Sequence, residues 1–479
     1  MTAAAITASY VLFALVWGAD EAAVRALMLA GVAFCGAFLL AKRLLNKKAL
    51  TTETIVFTII AAGIVMRIGY MLYTPFSVRD YDVSTFDSNG HFAYMYRLFS
   101  QGALPSSNDY QFYHPPFQHI IQALVVKIFS FFQPNAELTP LFEAAKLVPC
   151  FASCALLWVC RSLFREAGLP KRAGAVALAI VAFHPAFYML SSRVNNDALM
   201  LFFFMTSVLY TIRWYNRPTM NNILLIAVSI GLAMMTKLSG GMAALFTAPV
   251  FLTVLVKKWR EREAKSVIGQ FAVFGAVCAP LGLWYSVRNL VLFGQPLGYV
   301  LKFANTSGLY CGDKSLVSRF LSIPLGQIIN PLYCYSFGDY NLWLYILKSS
   351  LFGEFSFDRN GDVAAVLIIS NLVMILASFA AMIYVMARGK EMNKFARYGF
   401  FWIWLTQMIA FFAFNLQYPF GCTMDFRYMM PTAIIGAGYI GLALDRIGKR
   451  TGVLPGIVCD IGLAVVVIFC AASVLFFAL

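Results

Sequence analysis

The chain of 479 residues is 61% hydrophobic and only 12% charged, with a mean hydropathy of +0.74. Soluble domains carry about 25% charged residues, so this composition excludes an ordinary soluble protein and implies a polytopic membrane bundle. The net charge of +15 does not point to nucleic acid, because most lysines and arginines stand in short clusters between apolar runs, where they act as orientation signals.

A membrane-spanning helix needs about 20 mainly apolar residues. Runs that meet or approach this length occupy 3–19, 22–41, 55–73, 141–160, 173–191, 197–214, 222–237, 240–256, 267–287, 363–387, 398–418, 429–444 and 457–478, thirteen in all. Residues 1–19 lack a basic start and run on into a second apolar stretch, so they read as a retained span and not a cleaved signal. Basic clusters separate the runs: Lys42, Arg43, Lys47 and Lys48; Arg161, Arg165, Lys171 and Arg172; Arg213 and Arg217. Further on stand Lys257, Lys258, Arg260, Arg262 and Lys265; then Arg388, Lys390, Lys394 and Arg397; and last Arg446, Lys449 and Arg450. If each run crosses once, every cluster falls on one side, which the positive-inside rule makes cytoplasmic, with the N-terminus inside and the C-terminus outside.

The segment Pro115–Phe132 also looks like a span, but counting it would invert every later cluster. It carries Gln118, His119, Gln122 and Lys127 among its apolar residues. It therefore reads as a helix lying on the outer surface or re-entering it, with Pro116 near its first turn. Three outer loops result, at 74–140, 288–362 and 418–428. Of the ten cysteines, Cys35, Cys150, Cys154, Cys160, Cys278, Cys459 and Cys470 fall in or beside apolar runs and read as small buried hydrophobes. Cys311, Cys334 and Cys422 lie in outer loops, where a Cys311–Cys334 bridge is one option; no zinc spacing is present.

The first outer loop is the chemically richest stretch. Between Arg79 and His119 it carries Asp80, Asp82, Asp87 and Asp109 with His91, His114 and His119, three of the four histidines in the chain. Asp87 and His91 are four apart in a stretch of helical character, so both could share one face. The helix should stop at Gly102 and Pro105. A carboxylate beside an imidazole suits a general base or a divalent metal ligand, whereas a single aspartate such as Asp82 or Asp87 could instead cap the helix. The turn Ser191–Asp197 contributes Arg193 and Asn196, with Asp197 opening a helix whose dipole it complements. Lys237 lies beside Gly240 and Gly241 near the outer end of its run; it either snorkels or meets a phosphate. Arg288, Lys348, Glu354, Asp425 and Arg427 complete the outer polar set. Arg193, Lys237, Arg288, Lys348 and Arg427 are cations able to hold a lipid phosphate or diphosphate. With the acids of the first loop as base, they describe a site for transfer from a lipid phosphate.

The segments GHFAYMYRLFSQGALP (90–105), YHPPF (113–117), HPAFYMLSSRVNNDALMLFF (184–203), GLAMMTKLSGG (231–241) and RNLVLFGQPLG (288–298) lie in an order and topology that resemble the GT-C-fold, polyprenyl-phosphate-sugar-dependent glycosyltransferases. That family includes the protein O-mannosyltransferases and the bacterial lipid A aminoarabinose transferase. The resemblance covers roughly 55–445, and SSLFGEF (349–355) and CTMDFRYMMP (422–431) resemble a bacterial subgroup. It implies an inverting transfer in which an outer-loop aspartate deprotonates the acceptor hydroxyl, which attacks the sugar C1 as the lipid phosphate leaves. Basic residues, sometimes with a divalent metal, stabilise that phosphate. Many members carry an Asp-Glu pair where this chain has Asp80-Tyr81-Asp82 and Asp87-Ser88. The subgroup favours Asp82 as the base and spacing to His91 favours Asp87; the reading inclines to Asp82 with both open. His114 replaces the lysine that precedes the proline step in the aminoarabinose enzyme, which leaves its phosphate role open. Some members continue into a soluble outer domain; here acceptor recognition is expected to rest on 288–362 and the first loop.

The sequence thus leads to an all-α polytopic GT-C-type bundle of about thirteen spans with a long first catalytic outer loop containing surface helices. Its parts are two N-terminal spans (1–54), a catalytic membrane core (55–445) and a C-terminal span (446–479). The expected catalytic residues are Asp82 and Asp87. His91, His114, Arg193, Asn196, Lys237, Arg288, Lys348, Glu354 and Arg427 bind substrate, and a divalent metal on Asp87 and His91 is an option. The partners are a polyprenyl-phosphate-linked sugar, a glycan, lipid or protein acceptor and membrane lipids, with no nucleic acid, at a bacterial plasma membrane with the site facing outward. A lipid-carrier glycan polymerase or ligase is the alternative within the fold. A secondary transporter or flippase would need repeated halves and ionisable residues near the midplane, and no repeat is seen. Reporter fusions are expected to place 42–54, 257–266 and 388–397 in the cytoplasm and 300–340 outside; one fusion on the wrong side breaks the thirteen-span topology.

Overall fold

The structure, a computed structural model, describes residues 2–16, 20–45, 50–76, 78, 89–389 and 391–479. Each of the thirteen apolar runs falls on helix. The first is Thr2–Tyr10 continued by the π-helical Val11–Val16, followed by Glu21–Leu45, Thr52–Tyr73 and Leu138–Glu166. Lys171–Phe183 with Pro185–Met189, then Asp197–Asn216, Met220–Thr236, Leu238–Arg260 and Ala264–Phe293 come next. Gly361–Arg388, Phe395–Gln417, Pro431–Ile447 and Val453–Ala478 complete the set. Among the described residues, nine of these are long and apolar enough to cross a membrane. The other four, at 2–16, 171–189, 220–236 and 431–447, are shorter. There is no strand among the described residues, only one isolated bridge between Tyr310 and Phe420.

Phe117–Phe132 forms a separate helix of 16 residues. At 1.5 Å per residue it is about 24 Å long, short of a hydrocarbon core of about 30 Å. The helix Glu21–Leu45 leaves Leu27, Phe34, Phe38, Leu40, Leu44 and Leu45 exposed; apolar surface of that extent needs a lipid surrounding. The protein is an all-helical, multi-pass integral membrane protein.

Two compact units, interleaved in sequence, can be distinguished: Met1–Glu21 with Tyr70–Glu166 and Leu190–Leu301, and Ala22–Gly69 with Ala167–Met189 and Lys302–Leu479. In the first unit, Leu147–Glu166, Asp197–Asn216, Met220–Thr236 and Ala264–Phe293 pack in succession. Gly231 lets the last two approach, since a Cβ there would come within 2.9 Å of the Leu281 side chain. The end of Thr52–Tyr73 is closed by Lys146, whose buried ammonium donates to the Met71 carbonyl at 2.7 Å and the Thr74 carbonyl at 2.9 Å. Glu143 pairs with Lys146 at 2.5 Å and accepts from the Phe76 N–H at 3.1 Å, which fixes where the chain leaves this helix.

In the second unit, Lys171–Phe183 packs against Pro431–Ile447 through Gly441, where a Cβ would run into the Ala173 carbonyl. The Lys171–Phe183 helix breaks at His184-Pro185 because proline has no N–H to continue the ladder. The carbonyls left open at Val181 and Ala182 are taken by Arg67, fully buried: Nη1 donates to Ala182 O at 2.9 Å and Nη2 to Val181 O at 3.4 Å, while Nη1 also reaches Gly63 O of its own helix at 2.9 Å. An unsatisfied buried polar group costs about 1–3 kcal/mol, so Arg67→Leu should lower the thermal unfolding midpoint in detergent clearly and Arg67→Lys by less. Equal midpoints for wild type and Arg67→Leu would show that the break is satisfied by other means.

Candidate active site

Asp82 and Asp87, the candidate bases, lie outside the described residues, as does Asp80. The segment that follows them is closely held. Its helix, His91–Gln101, starts after Gly90, so the N-cap expected of an aspartate is filled by glycine. The shared face expected of Asp87 and His91 lies outside the described residues on the Asp87 side. The helix ends as expected at Gly102, whose φ of +62° is the left-handed conformation that glycine adopts without strain. A 3-10 turn, Tyr110–Tyr113, leads to His114 and Pro116 and so into Phe117–Phe132.

The end of Ala264–Phe293 clamps this loop. Arg288 Nη2 donates to the Pro105 carbonyl at 2.7 Å and Nη1 to Asn289 Oδ1 at 2.8 Å, with the guanidinium over the Tyr285 and Phe293 rings. Tyr285 donates to the Phe112 carbonyl at 2.8 Å, Asn289 to the Tyr113 carbonyl at 3.5 Å, and Asn108 to Gln295 at 2.9 Å. The Tyr94 hydroxyl lies 3.0 Å from that of Tyr285 and 3.2 Å from the His114 carbonyl. The RNLVLFGQPLG segment thus works as a loop clamp, and Arg288, expected on a substrate phosphate, holds backbone.

Three imidazoles gather here, all buried. His91 Nδ1 and His119 Nε2 are 2.8 Å apart, and the rings of His91 and His114 stack at 5.9 Å. Burial, reinforced by His91, pushes His119 well below the usual histidine range. Beside them the turn at 190–197 is bolted to the helix Phe117–Phe132. Gln118 donates to the Val194 and Asn195 carbonyls, and Gln122 to Val194 at 3.2 Å and Ala145 at 3.4 Å. Arg193 and Asn196 are buried in this turn, and the Asn195 and Asn196 amide nitrogens have no partner among the described residues. Asp197 opens its helix as expected and pairs with Lys237 at 2.5 Å. The lysine expected either to snorkel or to meet a phosphate is therefore engaged by a carboxylate.

In the second unit, Glu354 Oε1 accepts from Tyr345 at 2.5 Å and from Ser336 at 2.9 Å. Asp425 and Arg427 pair at 3.5 Å, and the Arg427 N–H donates to Asp425 Oδ1 at 3.0 Å. Burial first and the Asp425 charge second push Glu354 up to about 7, against the pull of Arg427. Lys348 donates to the Pro331 carbonyl at 2.6 Å, and burial lowers its affinity for a proton. Cys311 and Cys334 are free thiols, so the bridge considered between them is absent; Cys334 lies 3.2 Å from the Gly353 carbonyl. Among the described residues no three His, Cys, Asp or Glu converge on a metal position.

Several partners were not singled out from sequence: His119 for His91, Tyr345 and Ser336 for Glu354, and Lys146 with Glu143. The pair Gln118 and Gln122, at helical spacing on an otherwise apolar stretch, was the available signal that this helix faces polar backbone.

The fold is that of the GT-C glycosyltransferases. The Archaeoglobus fulgidus oligosaccharyltransferase in its apo form superposes with a TM-score of 0.50 at 13% identity, covering 87% of this chain and 56% of that one. The same enzyme tethered to an acceptor peptide gives 0.48 at 12% identity, covering 87% and 55%. Its complex with an inhibitory peptide and a dolichol-phosphate gives 0.42 at 11%, covering 88% and 55%. The chain spans a little over half the length of these structures. Residues 107–308 match the sequence model of the dolichyl-phosphate-mannose-protein mannosyltransferase family. Together with the fold, this bears out the resemblance to the polyprenyl-phosphate-sugar-dependent glycosyltransferases. No curated protein matches the chain.

The raised Glu354 carboxyl makes a pH prediction. The folded protein keeps this proton up to about 7, whereas the unfolded chain releases it near 4.5. Folded protein binds more protons across that window, so this group's contribution to stability falls as pH rises through it and is level above. Glu354→Gln, which mimics the neutral form, should flatten the change in unfolding midpoint between about pH 5 and about pH 8; an unchanged slope would assign it to other groups.

Proposed function

We propose that the protein is an inverting membrane glycosyltransferase that moves a sugar from a polyprenyl-phosphate carrier to a glycan, lipid or protein acceptor. The observation that carries this reading is the family match over 107–308. That stretch includes the YHPPF step, the turn at 190–197, Lys237 and the Arg288 clamp, the parts that hold the first outer loop from Pro105 onward. The basic clusters support an outward-facing loop with about thirteen spans, and the likeness of SSLFGEF and CTMDFRYMMP to a bacterial subgroup supports a bacterial plasma membrane.

In this reading Asp82 or Asp87 takes the proton of the acceptor hydroxyl. The freed oxygen attacks C1 of the sugar, and the bond from C1 to the phosphate oxygen breaks with inversion. A cation facing the departing phosphate stabilises the charge that develops on it. Arg193, buried in the turn at 190–197, is the candidate for that cation. Arg288 and Lys237 act one step back, through the loop and through Asp197. A divalent ion at Asp87 and His91 remains an optional part of the proposal, with His91 Nε2 as the ring nitrogen not turned to His119.

Asp82→Asn or Asp87→Asn should abolish transfer while expression and donor binding persist; full activity in both single variants would remove the base from this pair. In a deletion strain, mass spectrometry should find an accumulated lipid-linked sugar and a missing glycan. An unchanged lipid-linked pool and a complete set of glycans would refute the function.

A further inference from the structure

Between Lys314 and Asp339 the chain carries a single charged side chain, Arg319, and that residue is buried. What the first half of this stretch exposes is apolar: Leu316, Val317, Leu321, Ile323 and Leu325 are each more than half exposed. Contiguous apolar surface without charge marks an interaction site. Its place beside the span Phe395–Gln417 says what covers it. Just past that span, the Cys311 N–H donates to the Pro419 carbonyl at 2.9 Å and the Gly421 N–H to the Leu309 carbonyl at 2.7 Å. From this pairing the chain runs back along the helix. Arg319 Nη2 donates to the Asn415 carbonyl at 2.9 Å, and the Phe320 and Phe412 ring centroids are 5.9 Å apart.

Phe412 precedes the last residue of the helix, Gln417, by about 7.5 Å along the axis at 1.5 Å per residue. The 23-residue span is about 35 Å long against a hydrocarbon core of about 30 Å, so Phe320 packs inside the apolar layer. Ile409 and Leu416 lie three before and four after Phe412, on the same helix face, and both are exposed, as lipid-facing residues are. The apolar side chains of 316–325 therefore extend a surface that lipid already covers. The backbone is prepared for the same surroundings. Asn341 Nδ2 donates to the Ser318 carbonyl at 3.0 Å and the Ser322 carbonyl at 2.8 Å, and Trp343 Nε1 to the Phe320 carbonyl at 2.7 Å. The Arg319 N–H bonds to Ser315 and the Ser322 N–H to Val317. A loop in water can leave such carbonyls to solvent; one in an apolar layer cannot.

We propose that residues 315–325 are an interfacial anchor, inserted between the headgroups and acyl chains of one leaflet beside the Gln417 end of this span. The partner is bilayer lipid. The depth of Phe320 falls within the roughly 5–10 Å to which interfacial segments bury their apolar face. Trp343, whose ring packs on Phe412 at 5.6 Å, is the residue type that gathers at this level. Asn341 caps the helix Leu342–Phe352, so the anchor fixes the depth at which that helix, with Tyr345 and Lys348, sits in the membrane. It also takes 315–325 out of the surface expected to recognise an acceptor. None of this depends on the reaction the protein performs.

The test places the photoreactive residue benzoylphenylalanine at Leu321, at Leu325 or, as a lipid-facing reference, at Ile409 of the full-length protein in phosphatidylcholine nanodiscs. After irradiation, mass spectrometry should find phosphatidylcholine adducts at Leu321 and Leu325 in yields comparable with that at Ile409. Adducts at Ile409 alone would overturn the anchor. Crosslinks from Leu321 or Leu325 to a second copy of the chain would replace lipid by a dimer contact and overturn it as well. The unsubstituted protein supplies a measurement free of any folding defect. Hydroxyl radicals generated in the water around the same nanodiscs should leave Leu321, Ile323 and Leu325 unoxidised. Oxidation of these side chains in the intact nanodisc would show that the segment faces water and would refute the proposal.

Discussion

A backbone carbonyl left open in a membrane bundle has no water to turn to, and each unsatisfied group is costly. The structure answers this with basic side chains. Arg67 takes the carbonyls freed where a helix breaks at Pro185, and Lys146 closes the end of Thr52–Tyr73. Arg288 holds the Pro105 carbonyl, Lys348 that of Pro331, and Arg319 that of Asn415. At each of these places the chain leaves helical geometry or approaches a loop, and a long flexible donor reaches what the helix ladder cannot.

This use of cations changes how the polar residues are understood. In an oily chain, arginines and lysines outside the short basic clusters invite assignment to a lipid phosphate. Arg288 and Lys348 instead donate to backbone, and Lys237 neutralises Asp197 at the start of a helix. Such residues serve a site by holding its walls. The segment 89–119 shows the effect: it contains two short helical pieces and several non-helical residues, and it is fixed by Tyr94, Tyr285, Arg288 and Asn289 through backbone carbonyls. A loop held in this way can present side chains with little reorganisation, the condition for electrostatic catalysis.

The two carboxylate environments differ in kind. Asp197 is buried against a lysine at a helix N-terminus, where both the partner and the dipole favour its charge. Glu354 is buried and near a second carboxylate, and these favour its proton against the opposing pull of Arg427 and of the Tyr345 and Ser336 hydroxyls. The same side-chain chemistry thus yields an ion pair with a lysine in one unit and a carboxyl that holds its proton more tightly in the other.

How much was legible beforehand follows from the range over which each signal acts. The apolar runs predicted all thirteen helical stretches, because hydropathy and helix formation are local. The charge pattern kept Pro115–Phe132 apart from the runs on either side, and Phe117–Phe132 forms a helix of its own. Gly102 and Asp197 fell at helix ends as read, since stop signals and dipole complementarity also act within a turn. The pairing of His91 with His119, 28 residues apart, and of Tyr345 with Glu354, could not be read from spacing, nor could the attachment of Arg288 to a loop 183 residues away. The sequence alone determined that this is an oily helical bundle with a polar, acid-bearing loop between its third apolar run and the helix that follows. Only the tertiary structure decided which cations hold the protein's own backbone, because a donor's partner is set by which carbonyls the packed helices leave open.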